Sequence, residues 1–98
     1  MATELPKLSE EEIAQKLSGL NGWERDGKMI TREFTFSGFT EAAGFINRIA
    51  PLANGMNHHP DLLLHKYKRV KVMLWTHSRD GLTQNDFDLA AKISTLQG

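Results

Sequence analysis

The sequence predicts an α+β fold, a four-stranded antiparallel sheet with three helices on one face, in the order α-β-β-α-β-β-α. Two observations predict it. Three stretches carry apolar residues at helical spacing. Between them lie two pairs of short runs, each pair joined by a tight turn, with the clearest runs alternating apolar and polar residues. Two hairpins and three amphipathic helices pack most simply as one sheet with a single covered face.

Ser9-Glu10-Glu11-Glu12 opens the first helix. Ser9 can cap it, Glu12 stands at the capping-box position, and the acidic cluster suits the positive end of the helix dipole. Ile13, Leu17 and Leu20 form its apolar stripe, and Gly19 with Asn21-Gly22 ends it. Trp23-Glu24-Arg25 and Met29–Phe36 flank Asp26-Gly27, a common tight-turn pair, and read as the first hairpin. In its second strand Ile30, Arg32, Phe34 and Phe36 share one face, with Thr31, Glu33 and Thr35 on the other. Arg32 interrupts the apolar face, where its stem can be buried with the head at the edge.

Phe39, Ala42, Ala43, Ile46, Ile49, Ala50, Ala53 and Met56 make the strongest periodicity, a second helix of about five turns at the usual pitch. Thr40 or Ser37 is its expected cap, Pro51 is expected to kink it, and Asn54-Gly55 to loosen or end it. Leu62–Tyr67 and Val70–His77 read as the second hairpin around Lys68-Arg69, with Val70, Val72, Leu74 and Thr76 on one face and Lys71, Met73, Trp75 and His77 on the other. Gly81 breaks the chain. Thr83 then caps a third helix with Asp86 three residues on, and Phe87, Leu89, Ala90, Ala91, Ile93 and Leu96 give it an apolar face.

The 98 residues are expected to form a single domain, 1–98, and a domain this small often gains stability by oligomerising. Twelve basic residues balance twelve acidic ones, so no field of one sign points to nucleic acid or a membrane surface. Without cysteine there is no disulfide framework and no thiolate metal site. Met1–Lys7 does not read as a signal peptide, and no apolar run approaches the roughly 20 residues of a membrane span. A soluble, cytoplasmic protein is expected.

The chemistry gathers between positions 58 and 77, where all four histidines fall. Histidine gives and takes protons near neutrality. His59 precedes Pro60, so its backbone is pushed toward an extended form and the second helix must stop at or before it. His58 and His59 then leave a helix end in different directions, and His77, at the far end of a strand, could close on the same cleft. On spacing alone, ordinary surface histidines fit as well as a proton-transfer site. A metal site is disfavoured, because neighbouring residues rarely reach one ion and Asp61 is the only nearby acid. His65 lies within a strand, away from the doublet. Trp23 and Trp75 are core or interface candidates whose faces would also suit a flat heterocycle. Asp86 is most simply part of a helix cap, with a supporting role toward a histidine secondary.

Asn57-His58-His59-Pro60-Asp61, then Trp75-Thr76-His77, then Gly81-Leu82-Thr83-Gln84-Asn85-Asp86-Phe87 resemble the pterin-4a-carbinolamine dehydratases. Leu20-Asn21-Gly22-Trp23 and the series Phe36, Phe39, Ala42, Phe45 fit the same family. The resemblance implies the fold already read from the residues, a homodimer or homotetramer, and an enzyme that removes water from a 4a-hydroxytetrahydropterin. The product is quinonoid dihydropterin, which recycles the cofactor of aromatic amino acid hydroxylases, and no metal or organic cofactor is used. His58, His59 and His77 match the family's active-site histidines. Asn57, Pro60, Trp75, Thr76 and Ser78 match positions lining the pterin site, and Trp23 a tryptophan near it. The chain departs from the family at Asn54 and Gly55, where members often carry Glu-Lys, and at Pro51. Some relatives also bind proteins, so the alternative is a non-enzymatic dimerisation or assembly module on the same fold.

Overall fold

The computed structural model describes residues 5–96. The first four and last two residues of the expected 1–98 domain lie outside the described residues. Helix α1 spans Glu10–Ser18, strand β1 Glu24–Asp26, β2 Met29–Thr35, α2 Phe39–Met56, β3 Asp61–His65, β4 Arg69–Leu74 and α3 Gln84–Leu96. The expected order of helices and strands is therefore present. All strand pairs are antiparallel, in the spatial order β1-β2-β4-β3. Helix α2 carries the chain from β2 over to β3, and β4 then returns between them.

Both halves of the α1 capping box form. Ser9 Oγ accepts from the Glu12 N–H at 3.2 Å, and the Glu12 carboxylate accepts from the Ser9 N–H at 2.9 Å. The bond from the Ser9 N–H, with the Ser9 side chain second, holds the Glu12 carboxyl below its ordinary value. In the first hairpin Asp26 still pairs with Met29, so the turn is Gly27-Lys28, one residue later than Asp26-Gly27. Gly27 takes φ 61, a left-handed conformation open to glycine at no steric cost. Arg32 behaves as its position demands: its guanidinium lies 4.4 Å from the Phe34 ring centre and reaches the Asn21 carbonyl at the edge.

Helix α2 begins after Gly38, with neither Ser37 nor Thr40 supplying a side-chain cap. It also runs unbroken through Pro51 and Gly55. Proline removes one donor, and glycine costs roughly 1 kcal/mol in a helix interior, while buried Ala42, Phe45, Ile49 and Ala53 hold this helix to the core. The helix stops at Asn57, which adopts the left-handed conformation at φ 51, ψ 42. The Asn57 N–H donates to the Asn54 carbonyl and the His58 N–H to the Ala53 carbonyl, both at 3.1 Å. This is the Schellman pairing, in which two residues past the helix satisfy its last carbonyls.

The second hairpin turns through Lys66 and Tyr67, both at positive φ, and Arg69 is already the ladder partner of His65. The expected strand to His77 ends at Leu74 instead. Thr76 and Gly81 exchange backbone bonds of 2.8 and 3.3 Å, which doubles the chain back, and His77–Arg79 form one 3-10 turn inside that loop. The covered sheet face is nonetheless the one predicted: Ile30, Phe34, Val70, Val72 and Leu74 are buried against Ile13, Phe45, Ile49, Phe87, Leu89 and Ile93.

A sharp test lies at Asn57. Asn57→Gly is expected to hold stability within about 0.5 kcal/mol, whereas Asn57→Ala should lose about 1 kcal/mol for the left-handed backbone. Urea denaturation of the two variants checks this.

Candidate active site

Three pieces of backbone build one cleft. The end of α2 delivers Asn57 and His58, the extended link His59-Pro60 leads into β3 at Asp61, and the segment after β4 delivers Trp75 to Ser78. Asn57, His58, His59, Pro60, Asp61, Trp75, Thr76, His77 and Ser78 line a space of about 420 Å3. The three imidazoles singled out in the sequence therefore meet at one place. A roomier hollow of about 600 Å3, lined by Phe36, Glu41 and Arg48 among others, contains no histidine.

Each histidine is held differently. The His58 side chain is 11 % exposed, and its Nε2 lies 2.6 Å from Oδ1 of Asp86, which is fully buried. The other carboxylate oxygen, Oδ2, accepts from the Thr76 hydroxyl at 2.8 Å and from the Thr83 N–H at 3.0 Å. A buried carboxylate with three donors is satisfied. A carboxylate can only accept, so His58 Nε2 carries the hydrogen and Nδ1 is the ring nitrogen left for exchange. His59 Nε2 is 3.0 Å from the amide oxygen of Asn54. Position 54, an expected departure from the family pattern, thus offers His59 an acceptor. The His77 ring stacks on Trp75, with ring centres 3.9 Å apart and planes inclined by 32°.

Trp75, a core or interface candidate, is half-buried and has further company. The Lys28 ammonium sits 4.6 Å from its ring centre and bonds Asp80 at 2.6 Å. That hydrogen bond holds the Asp80 carboxyl below the ordinary range. Trp23 is placed away from the cleft. It is 5 % exposed in the core, edge-on to Phe34, and its indole N–H donates to Ser94 Oγ at 2.8 Å. Trp23, expected near the pterin site from the resemblance, instead fills space between the sheet and α3. His65 pairs with Glu33 at 2.7 Å, apart from the cleft. Among the described residues no three His, Asp or Glu side chains gather as a metal site would need.

The Asp86–His58 bond is the feature that sequence reasoning underrated. Thr83-x-x-Asp86 reads as a capping box, and only the return half forms, from the Thr83 N–H to Asp86. The Thr83 hydroxyl turns to Thr76 instead, 2.9 Å away. Helical spacing carries no sign of a contact across 28 positions. Lys28, in a hairpin turn, gave no signal either.

The fold and cleft define a small α+β protein with three histidines gathered in one cleft. Residues 6–96 match the family described as pterin 4 alpha carbinolamine dehydratase, and the chain belongs to that family. A provisionally named pterin-4-alpha-carbinolamine dehydratase of Sulfurisphaera tokodaii is 42 % identical over 92 residues, covering 94 % of this chain and 98 % of that protein. A relative of the same provisional name from Nostoc sp. is 43 % identical over 89 residues, covering 91 % and 95 %. The crystal structure of a transcriptional coactivator/pterin dehydratase from Brucella melitensis matches with a TM-score of 0.88 at 37 % identity, over 94 % of this chain and 99 % of that one. A pterin dehydratase-like protein identified as a RuBisCO assembly factor in the alpha-carboxysome shares the fold, with a TM-score of 0.67 at 22 % identity over 80 % and 92 % of the two chains.

His58→Ala would leave Asp86 short of one donor in a dry site. It is expected to cost about 1–3 kcal/mol. His58→Gln, which returns an N–H near the place of Nε2, should cost less. Thermal and urea unfolding of the pair check the order.

Proposed function

We propose that this chain is a 4a-hydroxytetrahydropterin dehydratase acting by histidine acid–base catalysis. The observation that carries the reading is the meeting of three imidazoles in one cleft of a chain from this family, one of them braced by a buried carboxylate. Dehydration breaks the C–O bond at the 4a carbon and removes the proton from the neighbouring ring nitrogen, forming a C=N bond and water. One group must protonate the leaving oxygen, and another must accept the nitrogen's proton. His58, with Nδ1 free and Asp86 behind Nε2, is suited to accept. His77, whose ring lies against an indole face that tolerates positive charge, is suited to donate. His59 orients the substrate with the help of Asn54. Asn57, Pro60, Trp75 and Ser78 line the pterin site, and Asp86 supports His58. The chemistry is proton transfer alone, and we assign it no metal or organic cofactor.

The same reading includes a homo-oligomer. β3 lies at a sheet edge, where its outer ladder groups remain free for a second strand, and Leu63 on it is 49 % exposed. Light scattering at micromolar concentration should give at least twice the chain mass; a single-chain mass would refute it. No helix among the described residues is long and apolar enough to cross a membrane. A cytoplasmic home remains part of the proposal.

The direct test follows dehydration of freshly generated substrate by absorbance, with and without protein. Acceleration with a bell-shaped pH dependence is expected, because one histidine must be protonated and another neutral. His77→Ala and His58→Gln should each lower kcat by about 10²–10⁴-fold. Chelator should leave the rate unchanged, and loss restored by zinc would overturn the metal-free mechanism. Asn54→Glu should raise the rate if a carboxylate serves His59 better than an amide. A second reading, a protein-binding module, has the Brucella relative's description as a transcriptional coactivator behind it. No acceleration over buffer at stoichiometric protein would favour that reading.

A further inference from the structure

Thr76 lines the cleft, and the family resemblance makes it a substrate-binding candidate. Its hydroxyl is already committed. A threonine hydroxyl has one hydrogen to give, and that hydrogen goes to Asp86 Oδ2 at 2.8 Å. The same oxygen lies 2.9 Å from the hydroxyl of Thr83, a residue 1 % exposed. Since the Thr76 hydrogen is spent on Asp86, the bond between the two hydroxyls runs from Thr83 to Thr76. The result is a one-way chain: the Thr83 hydroxyl donates to Thr76, Thr76 donates to Asp86, and Asp86 accepts from His58 on its other oxygen.

The two histidines given the proton transfers stand on different pieces of backbone. His58 follows α2, and His77 opens the 3-10 turn after β4. The Thr76–Asp86–His58 chain is a direct polar tie between those pieces, and Thr76 is the residue next to His77. The carboxylate plane is set by what its second oxygen meets, so the direction of Oδ1 toward His58 follows from the donors on Oδ2.

We infer that Thr76 and Thr83 are positioning residues that act through Asp86, fixing the His58 ring and its spacing from His77, and that Thr76 does not serve as a donor to substrate. The kinetic half of this inference rests on the dehydratase reading; the positioning half does not. Two measurements keep them separate. The first is the His58 Nε2–H proton in the nuclear magnetic resonance spectrum of substrate-free protein. Bonded to a buried carboxylate, it should be displaced downfield and protected from water. Thr76→Val and Thr83→Val should move it upfield or lose it to exchange, and Thr76→Ser and Thr83→Ser should restore it. Thr76→Val tests the same chain at a half-buried site should Thr83→Val fail to fold. The second is steady-state dehydration. Thr76→Val should lower kcat about tenfold with KM within about twofold, and Thr76→Ser should recover most of the loss, within the range typical of a group that aids proton transfer. A rise in KM at unchanged kcat, with the ring proton undisturbed, would make Thr76 a substrate ligand and overturn the inference. A ring proton unmoved in both valine variants would overturn it whether or not the protein dehydrates pterins.

Discussion

The site depends on one buried carboxylate. Asp86 has no solvent contact, so its charge is tolerable only with donors on both oxygens. Those donors come from the end of α2, from the segment after β4 and from the start of α3. Satisfying one side chain thus ties together three stretches of chain that the hydrophobic core alone would leave free to shift. Core packing is non-directional and sets layers; hydrogen bonds to a fixed carboxylate set angles and distances. The cleft is therefore shaped by the polar cluster while the core holds the elements that carry it.

Two backbone devices bring the histidines to that cluster. The left-handed Asn57 closes α2, His58 and His59 beyond it meet different partners, Asp86 and Asn54, and Pro60 favours an extended step into β3. On the other side, the Thr76–Gly81 bridge folds the chain after β4 into a short loop with His77 at its first turn. Neither device needs a long mobile segment. The N-terminal approach is also tied to this loop, since the Leu8 N–H donates to the Leu82 carbonyl and Arg79 Nε to the Leu5 carbonyl. A site assembled from braced turns suits proton transfer, in which errors of an ångström are costly.

The environments of the three imidazoles differ in a way that suits division of labour. One is nearly enclosed and faces a carboxylate, one is exposed against an amide, and one lies on an indole. Chemically identical side chains acquire different roles through their neighbours. The amide of Asn54 fits this pattern. Its oxygen lies 3.0 Å from His59 Nε2, a neutral acceptor at a point where a carboxylate would add charge.

The sequence by itself determined the order of elements, the covered sheet face and the stretch in which the histidines fall. Period-two alternation makes Val70, Val72 and Leu74 a buried row, and helical spacing marks α2 from Phe39 to Met56. The His-His-Pro run marks a helix end because proline restricts its predecessor. What the sequence left undecided rests on contacts between distant residues. Whether the hairpin turned at Asp26-Gly27 or one residue later was settled by the pairing of Asp26 with Met29. The end of α2 at Met56 instead of Gly55 goes with Ala53 and Met56 packing against the core and the left-handed cap at Asn57. Trp23 could serve as core or rim on composition; only the space between Phe34 and Ser94 assigned it to the core. The partnership of His58 with Asp86 was decided by tertiary structure alone, because a side chain already explained by its local helix cap shows nothing in the sequence of a partner delivered by another helix.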